Sequence, residues 1–233
     1  MPTTAFAKRR SRLEAYFDHT ALEAWTQLTS DAPVGKIRAT VRAGRERMHG
    51  LLLDWLPADL MGKTVLDAGC GTGTLAIEMA RRGGAVIAID IAANLIDIAR
   101  RRTPSDLDGG SIDYRVGDML EPGSGTLDHV VAMDSLIHYE TRDAVAILAR
   151  LAGQTRYSIL LTVAPRTPSL TLMHAVGRVF PRSNRAPAIM PAGMAALSRQ
   201  IESEPGLKDW RIGRNERINC GFYMSQAIEL VRR

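Results

Sequence analysis

The nine residues Val65-Leu66-Asp67-Ala68-Gly69-Cys70-Gly71-Thr72-Gly73 constrain this 233-residue chain more than any other stretch. A short apolar strand runs into an acidic residue and then into glycines at alternate positions. A helix-compatible segment, Thr74 to Arg82, follows at once. Alternate glycines let the backbone turn tightly and bring a ligand against the peptide planes with no Cβ in the way. A glycine-rich turn by itself is shared by several nucleotide-binding folds. The dinucleotide fingerprint G-x-G-x-x-G needs a glycine at position 74, where this chain has Thr74.

From about Lys63 to Val163 the chain alternates strand and helix. The pattern predicts strands at 64–67, 85–90, 111–116, 127–133 and 157–163, with helices at 74–82, 92–102 and 141–152. Ala85–Asp90 (AVIAID) is an unbroken apolar run of the kind found in parallel sheets covered on both faces. Trp210–Asn219 and Phe222–Val231 flank Cys220-Gly221 and read as a closing antiparallel hairpin. The expected fold is α/β: a doubly wound, mostly parallel sheet with helices on both faces and ligands at the strand C-termini. Residues 1–62 form a helical extension whose clearest element is 36–55. There Ile37, Val41, Met48, Leu51, Leu52 and Trp55 make one apolar stripe, and Arg38, Arg42 and Arg45 lie along another face. Residues 63–233 form the main domain, with a proline-containing helical insertion at about 164–208.

Composition narrows the partners. The chain carries a net charge of +5 and a pI near 9.5, which favours an anionic partner: nucleic acid, a lipid surface or a carboxylate-rich small molecule. No apolar run approaches the ~20 residues of a membrane span, and the first twelve residues lack an apolar signal core. Two cysteines make no disulfide framework, so a reducing cytoplasm is expected. Cys70 supplies small size to the glycine loop rather than thiol chemistry.

Acidic residues mark three successive strand ends. Asp67 precedes the glycine loop. Asp90 ends the second strand, where a carboxylate accepts ribose hydroxyls or caps the next helix. Asp118, in Gly117-Asp118-Met119, is placed to accept from an adenine amino group while Met119 packs on the ring. Ile91 adjoins the same crevice. The fourth strand leads into Met133-Asp134-Ser135-Leu136-Ile137-His138-Tyr139, which brings a residue titrating near neutrality to the edge of the crevice.

Asp67 with glycines at 69, 71 and 73 resembles the S-adenosylmethionine (SAM) loop of class I methyltransferases. That resemblance implies a Rossmann-like, seven-stranded sheet. It also implies SAM as methyl donor, held by Asp67, Gly69, Gly71, Asp90, Ile91, Asp118, Met119 and Asp134. The Asn/Asp-Pro-Pro-aromatic motif of enzymes that methylate base amino groups is absent, and no basic tract is concentrated enough for nucleic-acid binding.

Segments outside the core narrow the family. Tyr16-Phe17-Asp18, Ala24-Trp25, Ser30-Asp31, Val41-Arg42-Ala43-Gly44-Arg45, Asp134 to Tyr139 and Gly221-Phe222-Tyr223-Met224-Ser225 resemble the magnesium-protoporphyrin IX O-methyltransferase family. The resemblance spans nearly the whole chain. It implies esterification of the 13-propionate of magnesium-protoporphyrin IX in bacteriochlorophyll biosynthesis, and contact with the large subunit of magnesium chelatase. It carries Tyr16 and His138 over as the residues nearest the reacting carboxylate. Tyr16 would donate its phenol to the propionate, cover the methyl donor, or anchor the N-terminal helix with Phe17. His138 would orient the carboxylate or remove a residual proton. Tyr139 completes the acceptor wall, and Arg38, Arg42 or Arg45 would pair with the second propionate. The magnesium belongs to the substrate, and no protein-bound metal is expected. Residues 1–62 would act as a lid, with peripheral contact to the photosynthetic membrane as an option. The rival readings are a SAM-dependent O-methyltransferase of another carboxylate or phenol, such as a quinone precursor, and a porphyrin carrier that binds SAM without turnover.

Overall fold

A computed structural model of the chain describes residues 11–14, 16–20, 28–29, 35–123, 125–166 and 189–233. Ala24-Trp25, Ser30-Asp31 and residues 167–188 of the expected insertion lie outside these. After a π-helical turn at Tyr16–Thr20, the elements run α1 (Lys36–Trp55), β1 (Thr64–Ala68), α2 (Thr74–Arg81), β2 (Ala85–Asp90), α3 (Ala93–Arg102), β3 (Ser111–Val116) and β4 (Leu127–Ala132). A 3₁₀ turn at Leu136–His138 precedes α4 (Thr141–Ala152) and β5 (Thr155–Val163). Then come α5 (Met194–Ser203), β6 (Trp210–Cys220) and β7 (Tyr223–Arg232).

The sheet has seven strands in the order β3-β2-β1-β4-β5-β7-β6. Strands β1 to β5 pair in parallel, and β7 joins β5 and β6 antiparallel. Chain order reverses between β1 and β4, so the crevice above their carboxyl ends is the switch point where ligands bind in such sheets.

Strand period splits the core into two layers. Leu66, Ala68, Val130, Ala132, Ile159 and Leu161 face α4 and α5. Their neighbours Val65, Val131 and Leu160 face the other way, toward Met48, Leu52 and Leu53 of α1 and Leu75, Ala76 and Met79 of α2. Helix α1 therefore packs into the sheet's core.

The stripe read along α1 holds except at Ile37: Val41, Leu51 and Trp55 pack against the cluster that buries Met48 and Leu52. Gly44, Met48, Leu52 and Leu53 are the helix's buried residues, whereas Ile37 is 58% exposed. The cause is the hairpin. Gly44 lies flush on Tyr223, where a Cβ would come within 2.6 Å of the tyrosine side chain. The helix is thereby rotated toward β6 and β7, and its first turn is left outside.

Candidate active site

Strand β1 delivers Asp67 into a glycine loop that needs its glycines. Gly69, Gly71 and Gly73 have φ of 83°, 55° and 78°, in the left-handed region that side chains resist. Gly69 also has no room for a side chain: a Cβ there would stand 2.5 Å from Cβ of Ser135. The glycine loop and the segment after β4 thus touch, and one cavity runs along both.

Asp67 is buried at 2% exposure, and its Oδ2 has no hydrogen-bond partner among the described residues. Burial, followed by the nearby Asp90 charge, pushes its carboxyl up to about 7, against a backbone N–H bond from Ala76. Asp90 is held from both sides, accepting from the Gly71 N–H at 2.8 Å and the Ala92 N–H at 2.9 Å. Burial raises its carboxyl too. The Gly71 and Ala92 N–H groups therefore fix Asp90 at the edge of the cavity, two residues ahead of the Ala92 that caps α3. Asp118 accepts from the Leu120 N–H at 2.9 Å, and Ile91, Asp118 and Met119 line the same cavity. Burial raises the Cys70 thiol far above its usual range, consistent with a spacer and not a nucleophile.

The acceptor end is built from distant parts. Asp134 adopts φ 53°, unusual for a residue with a Cβ, and turns the chain sharply after β4. Its carboxylate pairs with Arg45 of α1 and accepts from the Tyr223 hydroxyl of β7 at 3.1 and 3.3 Å. The Thr162 hydroxyl of β5 also donates to it, at 3.2 Å, while accepting from the Asp134 N–H at 2.7 Å. The turn that follows buries His138 and Tyr139 against the cavity. Phe17 meets the His138 ring with centroids 5.6 Å apart.

Of the roles open to Tyr16, the contact seen is the one with Phe17. Phe17 lines the cavity, and Tyr16 is not among the described lining residues. It packs edge-on against Phe17 at 5.2 Å. Of Arg38, Arg42 and Arg45 on α1, Arg45 lines this cavity. Arg42 borders an adjoining cavity and donates to the Leu28 carbonyl at 3.3 Å, and Arg38 is exposed.

Two further contacts of the N-terminal segment had no signal in the sequence. Asp18 accepts the Asn94 backbone N–H at 2.8 Å, and the Asn94 side chain donates to the Asp18 carbonyl at 3.0 Å. Thr29 receives the Thr72 hydroxyl at 3.0 Å and Arg102 at its carbonyl and hydroxyl, at 3.0 and 2.9 Å. Only the charge complementarity of Arg45 and Asp134 hinted at their pairing, across 89 positions. Among the described residues no group of three metal-binding side chains exists.

The sheet order, the acidic strand ends and the glycine loop at the switch point define a class I SAM-dependent methyltransferase. The chain matches the family models "Methyltransferase domain" over residues 65–156 and "Magnesium-protoporphyrin IX methyltransferase C-terminus" over residues 132–232. It belongs to the magnesium-protoporphyrin IX O-methyltransferase family: it is 44% identical over 225 residues to the magnesium-protoporphyrin O-methyltransferase of Rhodobacter capsulatus, covering 96% of this chain and 97% of that one. The enzyme of the same name from a Synechocystis strain is 30% identical, with 99% of each chain covered. A crystal structure of magnesium protoporphyrin IX methyltransferase from Synechocystis with bound S-adenosylhomocysteine (SAH) superposes with a TM-score of 0.83 at 28% identity. The match covers 96% of this chain and 99% of that one.

Proposed function

We propose that this enzyme transfers a methyl group from SAM to the 13-propionate carboxylate of magnesium-protoporphyrin IX, giving the monomethyl ester and SAH. The observation that carries the reading is the single cavity running from the acidic strand ends to the 134–139 segment, in a chain that matches the family across nearly its whole length.

The residues fit the donor. Glycines 69, 71 and 73 clear the backbone for close approach, and Asp67 offers a buried oxygen aimed at a cationic group. Asp90 and Asp118 would hold the nucleoside, with Ile91 and Met119 packing on it. When bound, SAM supplies a methyl group already activated by its cationic sulfur. A carboxylate oxygen takes the methyl carbon, the carbon–sulfur electron pair stays on sulfur, and neutral ester and thioether result. The acceptor, with a reference pKa near ~4, is ionised at neutral pH and needs no base. His138 therefore orients the carboxylate, within a wall of Phe17 and Tyr139 that excludes water and strengthens attraction between the ions. Tyr16 buttresses Phe17 rather than reaching the carboxylate itself.

The described N-terminal residues 16–20 and 28–29 serve as part of the lid, held at Asp18 and Thr29, while α1 stays in the core. The substrate brings its own magnesium and arrives from the large porphyrin-holding subunit of magnesium chelatase. Among the described residues no helix is long and apolar enough to cross a membrane. Incubation with SAM and magnesium-protoporphyrin IX should yield product with one added methyl by mass analysis. Methylation of a different acid, with the porphyrin untouched, would overturn the assignment.

A further inference from the structure

The most elaborate polar cluster outside the glycine loop is the one that converges on Asp134. Its carboxylate is 7% exposed, and Arg45, Tyr223 and Thr162 reach it from three separate elements. Burial and the Asp134 charge hold the Tyr223 hydroxyl protonated, so it serves as a donor throughout the neutral range. The helix that carries Arg45 is brought close enough by Gly44, whose missing Cβ admits the Tyr223 ring. Both Arg45 and Asp134 nonetheless line the cavity, at the end where Gly69 abuts Ser135. A carboxylate so fully engaged by protein donors is poorly suited to hold a ligand, yet its charge faces the reacting centre.

We propose that Arg45 and Asp134 form a charge-balanced pair that keeps the acceptor end of the cavity electrically neutral, so that an anionic acceptor can enter beside a cationic donor. The inference rests on the carboxylate-methylation reading above. In a poorly solvated cavity one unbalanced charge acts strongly over several ångströms. Without Arg45, Asp134 would repel the incoming carboxylate and hold a sulfonium in its charged ground state. Without Asp134, the Arg45 charge would be offset less, disfavouring the sulfonium and holding the acceptor more tightly. Balanced, the pair does neither. Tyr223 and Thr162 keep the carboxylate aimed at Arg45. Asp134 is on this account a positioning residue, one that acts through Arg45 and through the turn leading to His138. Among the described residues, the other charged or titratable groups bordering the cavity are Asp67, Asp90 and Asp118 at the neighbouring strand ends, Cys70 in the glycine loop, Tyr139 and His138 itself.

The test uses two probes that differ by one charge: SAM, whose sulfur is cationic, and SAH, whose sulfur is neutral. Their dissociation constants are measured by calorimetry for the wild type, Arg45→Met, Asp134→Asn, the double variant and Arg45→Lys. Thermal melts check that each variant folds. Arg45→Met should shift preference toward SAM over SAH by about tenfold, and Asp134→Asn should shift it about as far the other way. The double variant and Arg45→Lys should return the ratio close to wild type. With magnesium-protoporphyrin IX, Arg45→Met should raise KM and lower kcat, and the double variant should recover part of both. A role confined to folding would weaken SAM and SAH by a common factor and make the double variant at least as poor as either single one. That result overturns the proposal, and either single variant suffices if the other does not fold. A wild type that leaves magnesium-protoporphyrin IX unmethylated while the ratio still moves in both directions would remove the substrate assignment and keep the charge pair.

Discussion

The two ends of the cavity are built on different principles. The donor end comes from three consecutive strand–loop units, and its geometry is enforced mainly by backbone: positive-φ glycines, and the Gly71 and Ala92 N–H groups that grip Asp90. The acceptor end is assembled by side chains from α1, the turn after β4, β5, β7 and the N-terminal segment. Backbone-built sites tolerate change in surrounding side chains. Side-chain-built sites can be retuned by single substitutions, which suits the part of a methyltransferase that must discriminate among acceptors. Variants at the donor end should therefore change cofactor affinity, and those at the acceptor end turnover.

The sharpest test of that division is His138. If it positions an acceptor that is already ionised, His138→Ala should lower kcat by less than the ~10²–10⁴-fold that loss of a general base costs. SAM affinity should stay near wild type. His138→Asn, which keeps an amide donor, should retain distinctly more activity than the alanine variant. Raising the pH should rescue neither, since the carboxyl pKa lies well below neutrality. Recovery of His138→Ala with rising pH would instead make the histidine a base.

The donor end should answer in the opposite currency. Asp67→Ala and Asp90→Ala should each weaken SAM binding by about 1–3 kcal/mol, the range for deleting one partner of a buried hydrogen bond. Turnover at saturating SAM should change less. Calorimetry showing wild-type affinity in both variants, with the fold intact, would remove the assignment.

A smaller effect follows from the protonation of Asp67. Burial first, and Asp90 second, raise its carboxyl to about 7, whereas an unfolded aspartate titrates near ~4. The native state thus holds this proton to higher pH than the unfolded state does. The stabilising contribution is complete below ~4 and is lost as pH rises through about 7, so unliganded stability from this group falls with pH across that window. A bound cation reverses the preference, and SAM affinity should rise with pH up to about 7, by at most about tenfold per unit. Asp67→Asn should flatten both trends. Denaturation and calorimetric titrations at about pH 6 and about pH 8 would check them. A SAM affinity independent of pH in the wild type would show that Asp67 is ionised without the ligand.

Legibility in the sequence follows the same division. Strands β2 and β3 and helices α1 and α4 fall where their periodicity puts them, and β1, β4 and β5 differ at their ends by one or two residues. Local pattern carries this information because each apolar run and each glycine acts on its own neighbours. Along α1 only Ile37 departs from the stripe, because the rotation of the helix depends on Tyr223, far along the chain and visible only after the hairpin docks. Arg45 was one of three equivalent arginines until Gly44 set the helix rotation. The resemblance carried Tyr16 to the acceptor, and nothing local to the two adjacent aromatics signals that Phe17 lines the cavity.

The smallest predicted effect probes the one segment that belongs to both ends. Phe17 touches His138 on the acceptor side, while its neighbour Asp18 caps Asn94 at the start of α3 on the donor side. A carboxylate there satisfies a terminal N–H and faces the positive end of the helix dipole. Loss of such a cap costs about 1 kcal/mol. Asp18→Ala should therefore weaken SAM binding by only a few-fold. Asp18→Asn, which keeps an acceptor and loses the charge, should fall between the alanine variant and wild type. Because Phe17 is anchored one residue away, kcat should decline along with affinity, and in the same order across the two variants. Calorimetry and steady-state rates on the same preparations make the comparison. A decline in kcat with unchanged SAM affinity would assign the segment to the acceptor end alone, and the Asp18–Asn94 contact would then not couple the two halves.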